Sequence, residues 1–245
     1  MRAINESTNT PEAPGEFPVA IRVWGEHALF AISHFRADPV SYPYPPPSAC
    51  AGLMRAIYWK PEGHWEIDTI TLLRKPRMVS DNVKGIGQSG PTLQSLMVLR
   101  DLNFIIEARW VKNPLRPSYP IQKCEGEIYE RLGRGEAYRS PCLGRFEYPA
   151  SYELLPKRRF GSWGSEGIRQ TEALGTMLYD LIPIDKHDDH YRPVYFRTAL
   201  RDGQITVPMH LHDKWRPQRQ AATHAAHPDK GPSAEVDAAL YLGSL

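Results

Sequence analysis

A phenol, an indole and an ammonium group stand side by side at Tyr58, Trp59 and Lys60. Tyr and Trp rings can stack on nucleic-acid bases, and a Lys side chain can pair with a phosphate. The triplet therefore predicts a surface that contacts nucleic acid. The alternative interpretation, in which Tyr58 and Trp59 are core aromatics, stays open here, because aromatic side chains are also major components of protein cores.

A short amphipathic helix has to deliver this triplet. The segment 48–61 follows three prolines, begins with Ser48 as the predicted N-cap, and places Leu53 and Ile57 at helical spacing. Pro61 ends the helix, because a proline drives the preceding residue to an extended conformation. The sequence thus predicts a helix whose C-terminal edge carries the three side chains.

The composition indicates a globular protein of one large domain or two small ones. The chain has 245 residues, of which 41% are hydrophobic, and its 23 prolines predict many turns and few long helices. It contains no run of about 18 apolar residues that could span a membrane, and its first 16 residues have no apolar signal-peptide region. The three cysteines have unrelated spacings, so we expect a reducing cytoplasm, no metal and no cofactor.

The charge is nearly balanced overall, at +2, but it is unevenly distributed. Residues 74–116 include eight basic and three acidic residues, a local charge of +5. A basic stretch rich in glycine and proline is typical of phosphate binding, although a solvated charged face is the equally weighted alternative. The residues predicted to hold RNA are Trp59, Lys60, Arg74, Lys75, Arg77, Lys84, Arg109, Lys112 and Arg116.

Alternating apolar residues predict strands before and after the helix. The expected strands cover 19–24, where Gly25 ends the first, 64–73, both halves of 95–110, 145–155, 175–181, 194–200 and 204–207. The Asp-Gly pair at 202–203 predicts a tight turn joining the last two strands into a hairpin. Residues 74–94 resemble a mobile loop or an irregular hairpin, and 127–132 a short helix. This order predicts an α+β domain that starts as a ferredoxin-like unit, a common RNA-binding platform.

Several segments, taken in order, resemble one known family. They read Val-Trp-Gly-Glu-His-Ala-Leu-Phe at 23–30, Ala-Ile-Tyr-Trp-Lys-Pro at 56–61, Leu-Arg-Lys-Pro at 73–76, Val-Leu-Arg-Asp at 98–101, Pro-Cys-Leu-Gly at 141–144 and Leu-Gly-Thr-Met at 174–177. From 17 to 208 the chain resembles the CRISPR-associated RAMP proteins of Cas family five, Dvulg subtype, which belong to the subtype I-C Cascade complex.

The resemblance implies a domain organisation. A ferredoxin-like (RRM/RAMP) RNA-binding domain is expected at 17–156, with an inserted basic loop at 74–94. An antiparallel β-hairpin extension follows on its C-terminal side at 157–213. We expect a disordered leader at 1–16, and the Gln-, Ala-, His- and Pro-rich composition beyond Lys214 predicts a disordered tail at 214–245.

The resemblance also implies a function. It implies cleavage of precursor crRNA at the base of the repeat stem-loop, followed by retention of the 5′ handle, beside the backbone and large subunits of subtype I-C Cascade. The family's catalytic set is a Tyr, a Lys and an adjacent His. These map onto Tyr58, Lys123 and a position that holds Cys124 in this chain.

The cysteine leaves two functions open. Metal-free RNA cleavage uses the ribose 2′-OH as nucleophile and needs proton transfer and charge stabilisation at the phosphate. Tyr58 would position or deprotonate the 2′-OH with help from Lys123, but a thiol is a poorer proton shuttle than an imidazole. His27 is a candidate replacement, more easily explained as a polar residue at a strand end. The alternatives to a nuclease are a non-catalytic subunit that caps the crRNA 5′ end and, more remotely, an unrelated RNA-binding module.

Two histidine-containing clusters are not assigned to the site. The segment 187–190 contains His187, Asp188, Asp189 and His190, which resemble ligands of a divalent metal. No helix is expected to fix their geometry, so a solvated loop is the favoured interpretation. His210 and His212 are expected to be polar residues at the start of the tail.

Overall fold

The computed structural model describes residues 15–32, 39–87, 90–158, 161–184 and 191–225, with the backbone alone at 84–87, 90–93 and 223–225. Its strands are β1 (Glu16–Ala28), β2 (Gly63–Leu72), β3 (Arg77–Gly87), β4 (Gly90–Lys112), β5 (Ser151–Leu154), β6 (Glu172–Pro183), β7 (Tyr191–Leu200) and β8 (Gln204–Thr206). Its helices are α1 (Pro47–Ile57), α2 (Ile121–Gly133) and α3 (Met209–Ala225), with a 3₁₀ helix at Ser162–Glu166. Among these residues, no helix combines the length and apolar character needed to cross a membrane.

The main sheet has ferredoxin-like topology. Strands β1, β2, β4 and β5, with α1 after β1 and α2 after β4, form a β-α-β-β-α-β unit. The strand order is β5-β1-β4-β2-β8, and every pairing in it is antiparallel. The prediction of an α+β, ferredoxin-like fold is confirmed. The hairpin of β3 and the first half of β4 extends from this unit, so 74–94 is mainly a hairpin rather than a loop.

The two faces of the sheet are covered differently. On one face, alternate residues of β1 and β4, including Val23, Phe104 and Ile106, are buried in the apolar core. Helix α1 contacts both β2 and β6, which explains why ten of its eleven residues are buried. On the opposite face, α3 covers β2, as the contacts of its arginines show below.

The ends of two predicted elements differ from expectation. Helix α1 begins at Pro47 and has no side-chain cap, so Ser48 is not its N-cap; a proline at the first helical position supplies the required backbone angle. Strand β1 does not stop at Gly25 but continues to Ala28. The glycine is needed for packing instead, since a Cβ there would lie 2.5 Å from the Leu143 side chain.

Strand β4 is one long strand where two were expected. Asp101, with φ of 61°, takes a left-handed conformation between the part of β4 that pairs with β3 and the part that pairs with β2. Residues on either side, Arg100 and Leu102, pair with His27 and Gly25 of β1. The strand therefore continues through this left-handed residue without leaving the sheet.

The predicted turn at 202–203 is present, but the strands that flank it separate. Asp202 and Gly203 have φ of 46° and 77°, and Arg201 and Gln204 exchange both backbone hydrogen bonds at 2.9 Å. Strand β7 then pairs with β6 in a separate two-stranded sheet, whereas β8 joins the main sheet beside β2. The predicted turn is thus correct, but the predicted hairpin is wrong, because the turn connects strands of two different sheets.

The expected disordered tail is wrong for residues up to 225, which form α3. Arg216 donates to Glu66 of β2 at 2.9 and 2.7 Å, and Arg219 donates to Asp180 of β6 at 2.9 Å. Burial alone would raise the pKa of Glu66, but hydrogen bonds from Arg216 and His64 lower it well below its ordinary range. This polar helix is held to the sheet by buried charge together with Leu211 and Trp215, which pack against the apolar core.

Candidate functional site

Tyr58 has a ring that is buried in the core and a hydroxyl group that is hydrogen-bonded at the edge of the core. It is the C-cap of α1, its backbone N–H donates to Met54 O, and only 1% of the residue is exposed. Its ring packs edge-on against Trp110 of β4, with ring centres 5.2 Å apart. The phenol hydroxyl reaches Glu127 of α2 and donates to Oε2 at 3.2 Å. The core interpretation is thus confirmed for the ring of Tyr58, whereas a contact of its hydroxyl with RNA stays a prediction.

Three donors from two segments, the end of α1 and the residue before Pro120, converge on Glu127. Besides Tyr58, the Lys60 ammonium forms an ion pair with Oε2, and the Tyr119 hydroxyl donates to Oε1. Lys60 Nζ also donates to Tyr119 Oη at 3.0 Å. We call Tyr58, Lys60, Tyr119 and Glu127 the Glu127 cluster.

Lys123 joins this cluster from the solvent side. It is exposed, lies one helical turn before Glu127 on α2, and its Nζ is 4.8 Å from the centre of the Tyr119 ring. Tyr58 thus bonds to Glu127, and Lys123, about 65 residues later in the chain, lies against the Tyr119 ring whose hydroxyl bonds to the same carboxylate. Their catalytic role stays a prediction.

Cys124 faces the other way. Adjacent residues on a helix point in directions about 100° apart, so a neighbour of the exposed Lys123 turns into the core. The cysteine is 0% exposed, and burial raises the pKa of its thiol. The sulfur atom therefore does not reach the surface where Lys123 lies.

Protonation states inside the Glu127 cluster are well defined at neutral pH. Burial, followed by the negative charge of Glu127, raises the pKa of Tyr58 far above its ordinary value, so the phenol keeps its proton. Hydrogen bonds with Glu127 and Tyr119 outweigh burial and raise the pKa of Lys60. The same contacts lower the pKa of Glu127 despite its burial. The group beside the Tyr58 hydroxyl is thus a carboxylate, which opposes the expected ionisation of the phenol.

The other residues predicted to hold RNA are spread over the surface. Arg74, Lys75 and Arg77 are exposed near the β2–β3 connection, and Arg77 donates to Asp101 at 2.5 Å. Trp59 is half-buried, with its ring centre 6.3 Å from that of Tyr138.

Two more predicted residues lie after β4 or at its end. Lys112 Nζ donates to Pro117 O at 3.2 Å, and the half-buried Arg116 donates its backbone N–H to Asn113 O at 3.0 Å. The side chain of Lys84 lies outside the described residues.

Arg109 is not an RNA-binding residue, contrary to the sequence analysis. Its side chain is 11% exposed, and its guanidinium bonds to Asp68, at 2.8 to 3.2 Å, and to Glu16, at 3.0 Å. Glu66 lies 3.5 Å away. Because three carboxylates already neutralise this cation beneath α3, it has no free surface for a phosphate.

The candidate histidines that the structure describes lie away from the Glu127 cluster. Tyr58 packs on Trp110, whose partner on β1 is Phe17, while His27 lies ten residues further along the strand, roughly 33 Å away. His212 is buried against the Tyr179 hydroxyl at 2.9 Å, and His210 is exposed. The cluster at 187–190 lies outside the described residues. Within the described ranges, no group of three or more His, Cys, Asp or Glu side chains could hold a metal ion.

Sequence reasoning missed Tyr119 and Glu127. Two signals were available: Tyr119 precedes Pro120, the N-cap of α2, and Glu127 lies four residues after Lys123. Neither signal could be used without knowing that α2 starts at Ile121, six residues before the expected start. Only that start places Lys123 and Glu127 one turn apart on the same helix.

Comparisons with known proteins agree with the fold and the motifs. The family described as CRISPR-associated protein (Cas_Cas5) matches residues 19–208. A Thermus thermophilus protein named CRISPR pre-crRNA endoribonuclease Cas5d is 30% identical over 213 residues, covering 77% of this chain and 90% of its own. A Mannheimia succiniciproducens protein of the same name is 27% identical over 221 residues, covering 78% and 94%.

Two solved structures share the fold. One is titled as the crystal structure of a CRISPR-associated protein, with 19% identity and a TM-score of 0.60. The other is a functionally uncharacterized Streptococcus mutans protein, SMU1763c, with 18% identity and a TM-score of 0.62. Each alignment covers 78% of this chain and 92% of the other. With the matched segment spanning most of the sequence, the chain belongs to the Cas5d family of CRISPR-associated proteins.

Proposed function

We propose that this protein is an RNA-binding CRISPR subunit that cleaves precursor crRNA, with the Glu127 cluster and Lys123 as its active site. Two relatives that align over most of their length are named CRISPR pre-crRNA endoribonuclease Cas5d. The observation that carries the proposal is the convergence of Tyr58, Lys60 and Tyr119 on one carboxylate beside an exposed lysine. Donors that hold a carboxylate can also hold a phosphate.

In the proposed reaction, the ribose 2′-oxygen attacks the adjacent phosphorus and the bond from phosphorus to the 5′-oxygen breaks. The 2′-OH gives its proton to a solvent water and the leaving 5′-oxygen takes one from water, which gives a 2′,3′-cyclic phosphate and a 5′-hydroxyl end. Lys60 and Lys123 stabilise the negative charge that develops on the phosphorane oxygens. Tyr58, which keeps its proton, acts as a hydrogen-bond donor rather than as a base.

The proposed enzyme is slow. Within the described residues, no imidazole bonds to the Glu127 cluster, and Cys124 faces the core. General acid–base catalysis by a well-placed histidine is typically worth about 10²–10⁴-fold in rate. The protein therefore depends mainly on positioning and charge.

A gel assay with the cognate repeat hairpin in EDTA tests the proposal. The unaltered protein is expected to cut at one position, and Tyr58→Phe and Lys123→Ala are each expected to slow cleavage by about 10²-fold or more. Arg131→Ala is the matched control, because Arg131 is exposed on α2 and is no part of the cluster. Intact RNA after prolonged incubation with the unaltered protein would refute the nuclease.

One observation favours a second function, a non-catalytic subunit that holds the crRNA 5′ end beside the backbone and large subunits of subtype I-C Cascade. The Tyr58 hydroxyl is covered by Lys60 and Glu127, and position 124 is sealed in the core. A Cys124→His exchange cannot decide between the functions, because an imidazole would overpack this site. Co-purified crRNA with an intact precursor in the assay above would favour the structural role.

A further inference from the structure

A cleft opens on the part of the second sheet face that α3 leaves uncovered. Along β1, Arg22 and Trp24 point away from the apolar core, opposite to the buried Ile21 and Val23. Beside β4 and β5 they border a cleft of about 360 Å³. This volume is within the range of about 300–1,000 Å³ of small-molecule sites.

The indole of Trp24 is held in place and is partly exposed. The Arg22 guanidinium lies 5.5 Å from the centre of its ring. Arg22 is itself fixed, since it donates to Asn103 Oδ1 at 3.0 Å and to Glu153 at 3.2 Å. Trp24 is 36% exposed, which is high for the largest aromatic side chain. An ordered, solvent-accessible indole is a surface on which a base can stack.

The cations at the cleft are not all neutralised. Of the lining cations, Arg22 pairs with Glu153, and nearby, outside the lining, Arg77 pairs with Asp101 and Arg100 with Glu26. That leaves the two adjacent exposed cations of the β2–β3 connection.

These two cations are Arg74, which lines the cleft, and Lys75 beside it. Neither takes part in an ion pair within the part of the chain that the structure describes; Arg74 interacts only with the nearby Asp101, which is already bonded to Arg77. The cleft thus has positive charge available at its rim.

The cleft also offers hydrogen-bonding groups. Because Asn103 Oδ1 accepts from Arg22, its amide NH₂ is left as a donor at the cleft wall. The Glu153 carboxylate retains acceptor capacity beyond its bond to Arg22. An aromatic floor, a donor, an acceptor and a cation at the rim are the groups that contact a nucleotide in single-stranded RNA.

We propose that this cleft binds one unpaired nucleotide of RNA, with the base stacked on Trp24 and a neighbouring phosphate on Arg74. The inference rests on the proposed RNA partner but not on cleavage. Trp24 pairs with Asn103 on β4, whereas Tyr58 packs on Trp110, seven residues away and on the opposite face. Seven residues of strand span roughly 23 Å, so the two sites bind different parts of one RNA.

Fluorescence anisotropy with an unstructured, labelled RNA of about eight nucleotides tests the cleft. Trp24→Ala is expected to weaken binding by about 5- to 100-fold, and Trp24→Phe by less because it keeps an aromatic ring. Arg74→Ala is expected to weaken binding and to make the slope of log K against log salt shallower by about 0.7, the value for one phosphate contact on a single strand. Arg192→Ala, an exposed cation on β7, is the matched control.

The outcomes separate this inference from the nuclease. Unchanged affinity in Trp24→Ala and Arg74→Ala would overturn the cleft, even if the hairpin is cleaved normally. Reduced affinity with an uncut hairpin would support the cleft and refute the nuclease. If Trp24→Ala unfolds at a lower temperature than the parent, its affinity is not used. The cleft is then tested by the affinity of Trp24→Phe and by the slope of log K against log salt for Arg74→Ala.

Discussion

Glu127 occupies the place that the proposed mechanism reserves for a phosphate. Its carboxylate is anionic, because three donors lower its pKa despite burial. The RNA therefore has to displace an internal anion before Tyr58, Lys60 and Tyr119 can contact it. Since Lys60 and Glu127 are partly solvated, their ion pair is weak enough to exchange.

Glu127→Gln is expected to increase the affinity for repeat RNA by about two- to five-fold, because the competing negative charge is removed while the side-chain shape is kept. Cleavage at low RNA concentration should rise by the same factor. Binding titrations and single-turnover assays measure the two effects. Glu130→Gln is the control, since Glu130 is exposed one turn later and pairs with Arg134. A loss of cleavage in Glu127→Gln would instead identify the carboxylate as a proton acceptor.

The location of a residue could be predicted where it belongs to a family motif. It could not be predicted where it depends on which ion pair the side chain forms. Tyr58 and Lys123 follow from the motifs, and the structure brings both to one cluster. Arg109 belongs to the same basic stretch as Arg74, yet one is buried among carboxylates and the other is exposed. A count of charges along the sequence carries no information about which cations already have partners.

Helix α3 shows how buried charge can supplement a small apolar contact in docking an element. Arg219 is almost fully buried, and its ion pair with Asp180 joins α3 to β6. Removing one partner of a buried pair leaves the other charge without compensation, which typically costs about 3–5 kcal/mol.

We expect Arg219→Met to lower the free energy of unfolding by about 3–5 kcal/mol, since the buried Asp180 carboxylate loses its partner. Adding Asp180→Asn should recover more than half of the loss, because the amide oxygen can still accept from the Leu181 N–H, now 2.9 Å from Asp180. Denaturant unfolding of the four proteins in this cycle measures the coupling. Lys214→Ala, at an exposed position of α3, is the control and should leave the free energy of unfolding nearly unchanged. Strictly additive effects of Arg219→Met and Asp180→Asn would contradict the pairing.

The elements that sequence predicted well are those with regular apolar patterns. Strand β1 alternates through Val19, Ile21 and Val23, and these residues are buried as expected. Helix α3 was missed because its inward residues include His212, Arg216 and Arg219, which a hydropathy pattern assigns to solvent. The separation of β7 from β8 was missed because a turn signal describes only the four residues around it.

The whole domain carries an excess of buried carboxyl groups, which makes its stability depend on pH. Glu107 is buried on β4, and its Oε1 accepts from the Gly161 N–H at 2.7 Å. Burial, with a smaller effect of Asp68, raises the pKa of Glu107 to about 7 from an ordinary value of 4.5. A raised carboxyl pKa favours the folded state while the group is protonated, so this stabilisation is lost as the pH rises from 4.5 through 7.

Glu107→Gln is expected to stabilise the protein by about 1–3 kcal/mol at pH 8 and by much less at pH 5. The amide has no charge to desolvate and still accepts from Gly161. Thermal or denaturant unfolding at a series of pH values gives the difference between variant and parent, which removes the contributions of the other titrating groups. The gain should grow up to about pH 7 and then level off; a gain independent of pH would show that Glu107 is not the titrating group.

Overall topology was the most predictable property, because the order of strands and helices left few alternatives to a ferredoxin-like sheet. The placement of β8 on its edge was not predictable, since that strand pairs with β2, more than 130 residues earlier. Its neighbour Thr71 also bonds to Gln204 through side chains at 3.1 Å. Such long-range contacts leave no local pattern.

Helix α3 is synthesised long after the β2 carboxylates that its arginines contact. Glu66 and Asp68 are synthesised early, while Arg216 and Arg219 come from the last described helix. Until that helix emerges, the carboxylates on β2 have Arg109 of β4 but lack Arg216 and Arg219, so their charge is incompletely compensated. We expect a chain truncated before α3 to leave Glu66 on an uncovered face of the sheet, with only Arg109 of β4 and His64, among the described residues, beside it.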